Sequence, residues 1–388
     1  MKKKILAVTG TRSEYDIIYP VLRELNNSSL FDLKVVVAGA HLSDWHGLTL
    51  KEIENDGFEI VDKIDYLLNT NRQTQRSKGV GLLIGSLTQT VERVQPNILL
   101  FAGDREESIA TCIVGNYMNI LVAHIGGGDP VYGNSDDPIR LACSKLAHIH
   151  FATTKKYAKN IKKLGEENFR ICFTGNPALN NILNTKKINR RELSNILNIN
   201  LVTNDYLVFL KHPLSSEIKN SLSHMSIAMK ATKSFALENK IKVIGIYPNT
   251  DPGSYDILKI IEKNDNKNIK FFKSLKREVF VNLMRNAKVL IGNSSMGILE
   301  APFYKLPVIN IGNRQKGRLN AGNVKFLPYD IEQIKKSLKK ACFDNNYRNT
   351  ILKLKNPYGD GYAHKKILNF LKSIDLDDKK WLNKKKLI

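Results

Sequence analysis

The pattern that most constrains this chain is an alternation between two periods. Short, nearly continuous apolar runs occupy residues 5–8, 33–38, 98–102 and 121–125. A strand that is apolar on both faces belongs inside a parallel sheet. Between these runs the apolar positions take helical spacing: Ile18, Val21, Leu22 and Leu25 fall at i, i+3, i+4 and i+7, and residues 83–94 behave similarly. Pro20 marks either a kink in the first of these helices or its start. The alternation then repeats, with strand-like runs at 207–210, 243–247, 289–291 and 308–311 and helical stretches at 216–237, 278–285 and 331–341. The Asn-rich span 181–205 reads as the junction. A chain of 388 residues exceeds what one hydrophobic core usually serves. The expected fold is α/β, with two doubly wound Rossmann-like domains facing a cleft.

Composition narrows the function classes. No apolar run is long enough to cross a bilayer, and the Met1-Lys2-Lys3-Lys4 start has no small-residue cleavage site behind it, so a signal peptide is not expected. Cys112, Cys143, Cys172 and Cys342 form no Cys-x-x-Cys pair and read as small hydrophobes in a reducing cytoplasm. The net charge of +23 raises the question of nucleic acid. The lysines are dispersed, however, only residues 379–386 form a compact run, and neither zinc-finger spacing nor an aromatic RNA-binding signature is present. A Lys-rich surface that attracts anionic nucleotide substrates is the more economical reading. The expectation is a cytoplasmic protein with neither nucleic acid nor membrane as partner. Sparse histidines and acids without ligand spacing give no metal site, and no redox cofactor signature is found.

In doubly wound sheets ligands sit beyond the carboxyl ends of the strands, and this chain places polar clusters there repeatedly. Gly10-Thr11-Arg12 and Gly103-Asp104-Arg105-Glu106 end two early strands. Arg12 is placed to pair a pyrophosphate or carboxylate, although a structural salt bridge is equally compatible. Asp104 reads either as an ion-pair partner of its neighbour or as a general acid or base. His124-Ile125-Gly126-Gly127-Gly128-Asp129 follows, where three glycines imply close backbone approach to a ligand or unusual φ values. Asp136 and Asp137 open a helical segment, where capping is the ordinary role of one acid and a raised-pKa catalytic carboxylate is the alternative for the other. In the second half, Lys211-His212-Pro213, Asn249 with Asp251, and Gly292-Asn293-Ser294-Ser295 end strands. The last of these turns into a helical pattern at 297–303 that carries Glu300, an arrangement suited to phosphate. Arg314 and its neighbours add cations nearby.

Taken in order, these segments resemble the UDP-N-acetylglucosamine 2-epimerase family, in particular its hydrolysing, sialic-acid-type branch. The resemblance runs from Gly10-Thr11-Arg12 through Gly39-Ala40-His41-Leu42-Ser43, Gly103-Asp104-Arg105, Asp136-Asp137-Pro138-Ile139-Arg140, Lys145-Leu146-Ala147-His148, Lys211-His212-Pro213, Tyr247-Pro248-Asn249, Gly292-Asn293-Ser294-Ser295 with Glu300, and Arg314-Gln315, to Asn356-Pro357-Tyr358-Gly359-Asp360-Gly361. It implies a glycosyltransferase-B type fold. Residues 1–182 would form a domain carrying the sugar and catalytic carboxylates, residues 183–362 a UDP-binding domain, and residues 363–388 a helix and basic tail packing back on the first. It also implies a homo-oligomer, dimer or tetramer. As implied roles, Asp104 and Asp136 or Asp137 are the acid/base carboxylates, with His212 counted among the catalytic residues. Arg12, His41, Arg105, Asn249, Ser294, Ser295, Glu300 and Arg314 would bind the UDP-sugar, with Glu300 on the ribose and the serines on the pyrophosphate.

The implied reaction removes the proton at sugar C2 while UDP departs from C1, and water then adds to the glycal to release the free 2-epimer, N-acetylmannosamine or a related sugar. One departure stands out. Family members carry a catalytic Glu in the loop where this chain has Gly126, and the segment 129–135 is one residue longer. Asp129 is one candidate replacement; a division of the work among the remaining carboxylates is the other. The competing readings are a non-hydrolysing 2-epimerase, a glycosyltransferase of the same fold and, from a different class, a basic nucleic-acid-binding protein.

Overall fold

A computed structural model describes residues 2–68, 73–130, 136–249 and 251–384. The chain forms two compact units. The first contains the described residues up to Leu183 together with the segment returning from Tyr358, and the second is built from Asn184–Pro357.

The first unit holds a seven-stranded sheet of β1 (Lys3–Thr9), β2 (Phe31–Ala38), β3 (Ile60–Ile64), β4 (Ile98–Ala102), β5 (Leu121–Ile125), β6 (Ile149–Ala152) and β7 (Ile171–Phe173). Its order is β3-β2-β1-β4-β5-β6-β7, with parallel pairing throughout. Every residue of β4 and β5 is buried, as the unbroken apolar runs require. The helix Arg12–Asn26 buries Tyr15, Ile18, Val21, Leu22 and Leu25 against one face of the sheet. Pro20 lies inside this helix and does not start it. A proline cannot donate to the carbonyl four residues earlier, and here the Asn181 amide donates to Asp16 O at 2.6 Å instead.

The helix Ala363–Ser373 belongs to this first unit. Ile367, Leu368 and Leu371 join the core built around Ile5, Val21 and Leu25. Lys3 Nζ donates to Leu371 O at 3.0 Å and Lys372 O at 2.8 Å, placing a cation on the negative end of the helix.

The second unit holds β8 (Tyr206–Leu210), β9 (Lys242–Ile246), β10 (Ile269–Phe272), β11 (Val289–Gly292), β12 (Val308–Ile311) and β13 (Val324–Leu327). These six parallel strands run in the order β10-β9-β8-β11-β12-β13. In both sheets the order reverses beside the first strand, between β1 and β4 and between β8 and β11. Those are the switch points where open α/β sheets take ligands.

Two expectations from the sequence change here. The span 181–205 does contain the boundary between the units, after Leu183, but it is more than a linker: it holds the helix Arg190–Leu197, and three of its asparagines cap or turn the backbone. Asn189 accepts from Glu192 N, Asn198 ends the helix in a left-handed conformation, and Asn200 accepts from Val202 N. The helical stretch expected at 216–237 is a 3-10 segment, Ser215–Asn220, broken at Glu217, followed by the helix Ser221–Glu238.

Candidate active site

At the first switch point, β1 ends on Gly10-Thr11-Arg12 and β4 on Gly103-Asp104-Arg105. Arg12 is held by two carboxylates, Glu52 at 2.6 Å and Asp16 at 3.3 Å. Asp104 accepts from Nε and Nη2 of Arg140, the former at 2.9 Å. The same guanidinium lies 3.3 Å from Asp129 and 3.4 Å from the Gly126 carbonyl. Arg140, on the helix Asp136–Leu146, thus gathers Asp104, Asp129 and the glycine loop into one cluster. Asp137 is partly buried on that helix. The Asp136 side chain and residues 131–135 of the lengthened loop lie outside the described residues.

The glycines of this loop differ in their reasons. Gly126 and Gly128 have φ of +91° and +73°, the left-handed region that glycine enters most easily. A Cβ at Gly127 would stand 2.7 Å from Ser144 Oγ, and one at Gly128 2.6 Å from the Tyr157 carbonyl. The close approach they permit is therefore to the protein's own helices. At Gly126 a Cβ would meet nothing within 4 Å, so backbone conformation alone selects glycine there.

His124 and His41 are core residues. His124 Nε2 lies 2.8 Å from the Gly103 carbonyl, and the ring stacks on Phe101 at 4.6 Å. His41 has both ring nitrogens engaged, Nε2 with Thr9 Oγ1 at 3.0 Å and Nδ1 with Thr49 Oγ1 at 2.6 Å. Burial pushes both imidazoles down to about 3, so both are neutral. His41, expected to touch substrate, braces the first turn instead, because its fully buried ring has no face left to present.

Sequence reasoning passed over a set of acids beneath this site. Glu14, Glu106 and Glu107 are all buried. Arg105 and Arg76 outweigh the burial of Glu106 and hold it below its ordinary range. Glu107 accepts from Tyr66 O–H at 2.5 Å. Burial raises Glu107, and it raises Glu14 well above the usual carboxylate range, each with help from a neighbouring carboxylate. The signal was present in the sequence: Gly10-Thr11-Arg12-Ser13-Glu14 and Gly103-Asp104-Arg105-Glu106-Glu107 share the pattern Gly-x-Arg-x-Glu.

In the second unit, β11 ends at Gly292 with φ +142°, and a Cβ there would overlap the Leu210 carbonyl of β8. Asn293 then clamps the neighbouring strand end. Its Oδ1 accepts from His212 N at 2.7 Å and its Nδ2 donates to His212 O at 2.9 Å. Asn249 N donates to His212 Nδ1 at 3.0 Å, which assigns the ring proton to Nε2. Arg314 and Gln315 both donate to Asn293 O, at 3.3 and 3.1 Å. His212, Asn249, Asn293 and Arg314 are thereby brought together, with the partly buried Ser294 and Ser295 next in the chain.

The helix after them spans only Met296–Leu299, shorter than the expected 297–303. Glu300 stands at its C-terminal end, because Pro302 and the turns that follow stop it. Lys211, also passed over for any specific role, is buried beside Tyr329, with Nζ 3.4 Å from its hydroxyl and 5.2 Å from the ring centroid. Burial, aided by Arg314, pushes its pKa down to about 8.

The family model described as UDP-N-acetylglucosamine 2-epimerase matches residues 23–372. The chain belongs to this family. Among curated relatives, a GDP/UDP-N,N'-diacetylbacillosamine 2-epimerase (hydrolyzing) of Campylobacter jejuni is 35% identical over 97% of both chains. A UDP-N,N'-diacetylbacillosamine 2-epimerase (hydrolyzing) of Legionella pneumophila is 31% identical, also over 97% of both. The polysialic acid biosynthesis protein P7 of Escherichia coli is 30% identical over 92% of this chain and 90% of its own. Among solved structures, the Neisseria meningitidis UDP-GlcNAc 2-epimerase bound to UDP-GlcNAc superposes with a TM-score of 0.82 at 20% identity, covering 96% of this chain and 100% of that one. The fold is thus two Rossmann-like units of the glycosyltransferase-B type, and the chain is an enzyme of the hydrolysing nucleotide-sugar 2-epimerase type.

Proposed function

We propose that this enzyme catalyses hydrolysing 2-epimerisation of a UDP-linked N-acetylhexosamine, releasing UDP and the free 2-epimer for sialic-acid-like sugar synthesis. The observation that carries the reading is near full-length identity, 35% and 31%, to two relatives named as hydrolysing 2-epimerases. Their names favour a di-N-acetylated sugar over UDP-N-acetylglucosamine itself as the preferred donor.

The residues of each unit suit this division of labour. At the β8/β11 turn, His212, Asn249, Ser294, Ser295, Glu300 and Arg314 hold the nucleoside diphosphate, and Arg314 stabilises charge on the departing UDP. At the β1/β4 turn, Asp104, Asp129 and one of Asp136 and Asp137 exchange the protons at C2 and on the incoming water. Arg12 and Arg105 supply cations beside them. The C2 proton is weakly acidic, so stabilisation of the leaving group does much of the work. We place the enzyme in the cytoplasm as a homo-oligomer; no helix among the described residues is long and apolar enough to cross a membrane.

The test is to incubate the protein with UDP-N,N'-diacetylbacillosamine and UDP-N-acetylglucosamine in deuterated water and follow the products by NMR. Free sugar carrying deuterium at C2, together with UDP, is expected. A product still attached to UDP would establish the non-hydrolysing reaction, and absence of both would overturn the reading. Light scattering on a sizing column measures the assembly state.

A further inference from the structure

The two turns at the first switch point are built from one repeated pattern, and the structure crosses the two copies over. Glu14 follows β1 on the helix Arg12–Asn26, but its carboxyl packs under the turn after β4: a Cβ at Gly103 would stand 3.0 Å from Glu14 Oε1. Glu107 follows β4 on the helix Glu106–Tyr117, but its carboxyl packs under the turn after β1, where a Cβ at Gly10 would overlap it. At Gly10 the other copy's glutamate fills the space a Cβ would take, and at Gly103, whose φ of +92° already favours glycine, the other glutamate packs close against the turn. Both side chains are buried, and Glu14 Oε1 and Glu107 Oε2 have no hydrogen-bond partner among the described residues. Two buried carboxylates with leftover oxygens are a costly arrangement unless one of them is protonated.

We propose that Glu14 and Glu107 are a pair of positioning residues, one protonated and one ionised, whose crossed packing fixes the spacing of the two turns that present Arg12, Asp104 and Arg105. Glu14 carries the proton. It is buried without a donor on Oε1, whereas Glu107 accepts from Tyr66 and its own helix start, contacts that favour the ionised form. The groups facing the pair are Asp104, Arg105 and Glu106 from the β4 turn, and Tyr66 from the segment after β3. Arg76 reaches it through Glu106, and His41 donates from its backbone to Gly10 O. Among them Arg105 is the cation that balances the single remaining charge. The positioning role rests on the function proposed above; the proton on Glu14 does not.

Infrared difference spectra of the whole protein at neutral pH, wild type against Glu14→Gln, test the proton directly. A protonated-carboxyl stretch that disappears in E14Q is expected, and its absence from the wild type overturns the proposal. With nucleotide sugar, the wild type should lose kcat at alkaline pH as the second carboxyl ionises, and E14Q should lack that limb. An identical limb in E14Q overturns the positioning role. Glu107→Gln should lower kcat about tenfold or more while KM moves less than about threefold, as expected of misplaced catalytic groups; an equal change in both overturns it. Should E107Q fail to fold, the E14Q spectra and pH profile still decide. A protein that shows the infrared band yet releases no UDP from any donor would refute the function and leave the pair intact.

Discussion

Glu166→Gln is the perturbation whose consequence the structure fixes most tightly. The Glu166 carboxylate has no exposed surface, lies 2.7 Å from Lys145 Nζ and 2.8 Å from Lys384 Nζ, and is 3.2 Å from His150 Nε2. Burial alone would raise its pKa, but the hydrogen bonds from His150, Lys145 and Lys384 outweigh that and bring it from 4.5 to about 2. Lys384 also donates to the carbonyls of Lys145 and Ala147, at the C-terminal end of the helix that carries Arg140. Arg170, fully buried, grips the same tail through the carbonyls of Lys380, Trp381 and Asn383. Glu166 is therefore the electrostatic pin between the C-terminal segment and the first unit.

A fall from 4.5 to about 2 is worth about 3 kcal/mol, at about 1.4 kcal/mol per tenfold change in proton affinity. Because the folded value is depressed, that stability is present above pH 4.5 and is lost as pH falls toward 2. E166Q should thus be about 3 kcal/mol less stable than wild type at pH 7, with the gap closing to about 1.4 kcal/mol at pH 3. Both tryptophans, Trp45 and Trp381, belong to the first unit, and Trp381 packs against Phe169 and Phe370. Urea unfolding followed by fluorescence in a Trp45→Phe background therefore reads this unit and its tail. A gap below about 1 kcal/mol at pH 7, or one that does not shrink with acid, would refute the reasoning.

Gly292→Ala should destabilise the second unit by about 3 kcal/mol and abolish UDP binding by calorimetry, because its Cβ overlaps the Leu210 carbonyl; unfolding of the first unit should not shift. Lys211→Met removes an ammonium whose pKa burial has driven from 10.5 to about 8. With the cation–π contact to Tyr329 also lost, the net gain is about 1–2 kcal/mol at pH 7, vanishing above pH 10.5 where neither state is charged. Calorimetric scans across that range check it. Asp104→Asn should reduce UDP release by about 10²–10⁴-fold while leaving the UDP dissociation constant within about threefold, measured by coupled assay and calorimetry.

Much of the fold was legible because buried parallel strands leave an unmistakable apolar signature. The runs at 98–102, 121–125 and 308–311 coincide with β4, β5 and β12. The strands that escaped notice are short or near an edge: β3 is mostly half-exposed, and β13 alternates with lysine at its second position. Capping chemistry misled in one place, since asparagines at 189, 198 and 200 look like linker composition but terminate and start structure. The strand-end rule found the polar turns at both switch points, because topology delivers those residues whatever their sequence separation. It could not find Glu14 and Glu107. Their partners are four residues away along the chain only in the uncrossed arrangement, and the crossing exists in space alone.

Position 126 carries the remaining question of mechanism. The resemblance leads one to expect a glutamate there, and the structure shows why a glycine changes the local electrostatics rather than the packing. With no side chain at 126, Arg140 is shared by Asp104 and Asp129, both within 3.3 Å of its nitrogens. A third carboxylate would leave one guanidinium facing three anions, which makes Asp129 the candidate for the charge expected from residue 126. Asp129→Asn should accordingly lower kcat by about hundredfold or more. Gly126→Glu alone should bring no gain, because φ of +91° costs a side-chain residue about 1–2 kcal/mol and Asp104 and Asp129 already occupy Arg140. Combined, however, Gly126→Glu in the Asp129→Asn background should recover at least about tenfold of the lost rate, since no atom within 4 Å obstructs a side chain there. Steady-state UDP release from the four proteins decides the matter. Full activity in Asp129→Asn, or no recovery in a double variant with wild-type thermal stability, would show that Asp129 does not stand in for the missing glutamate.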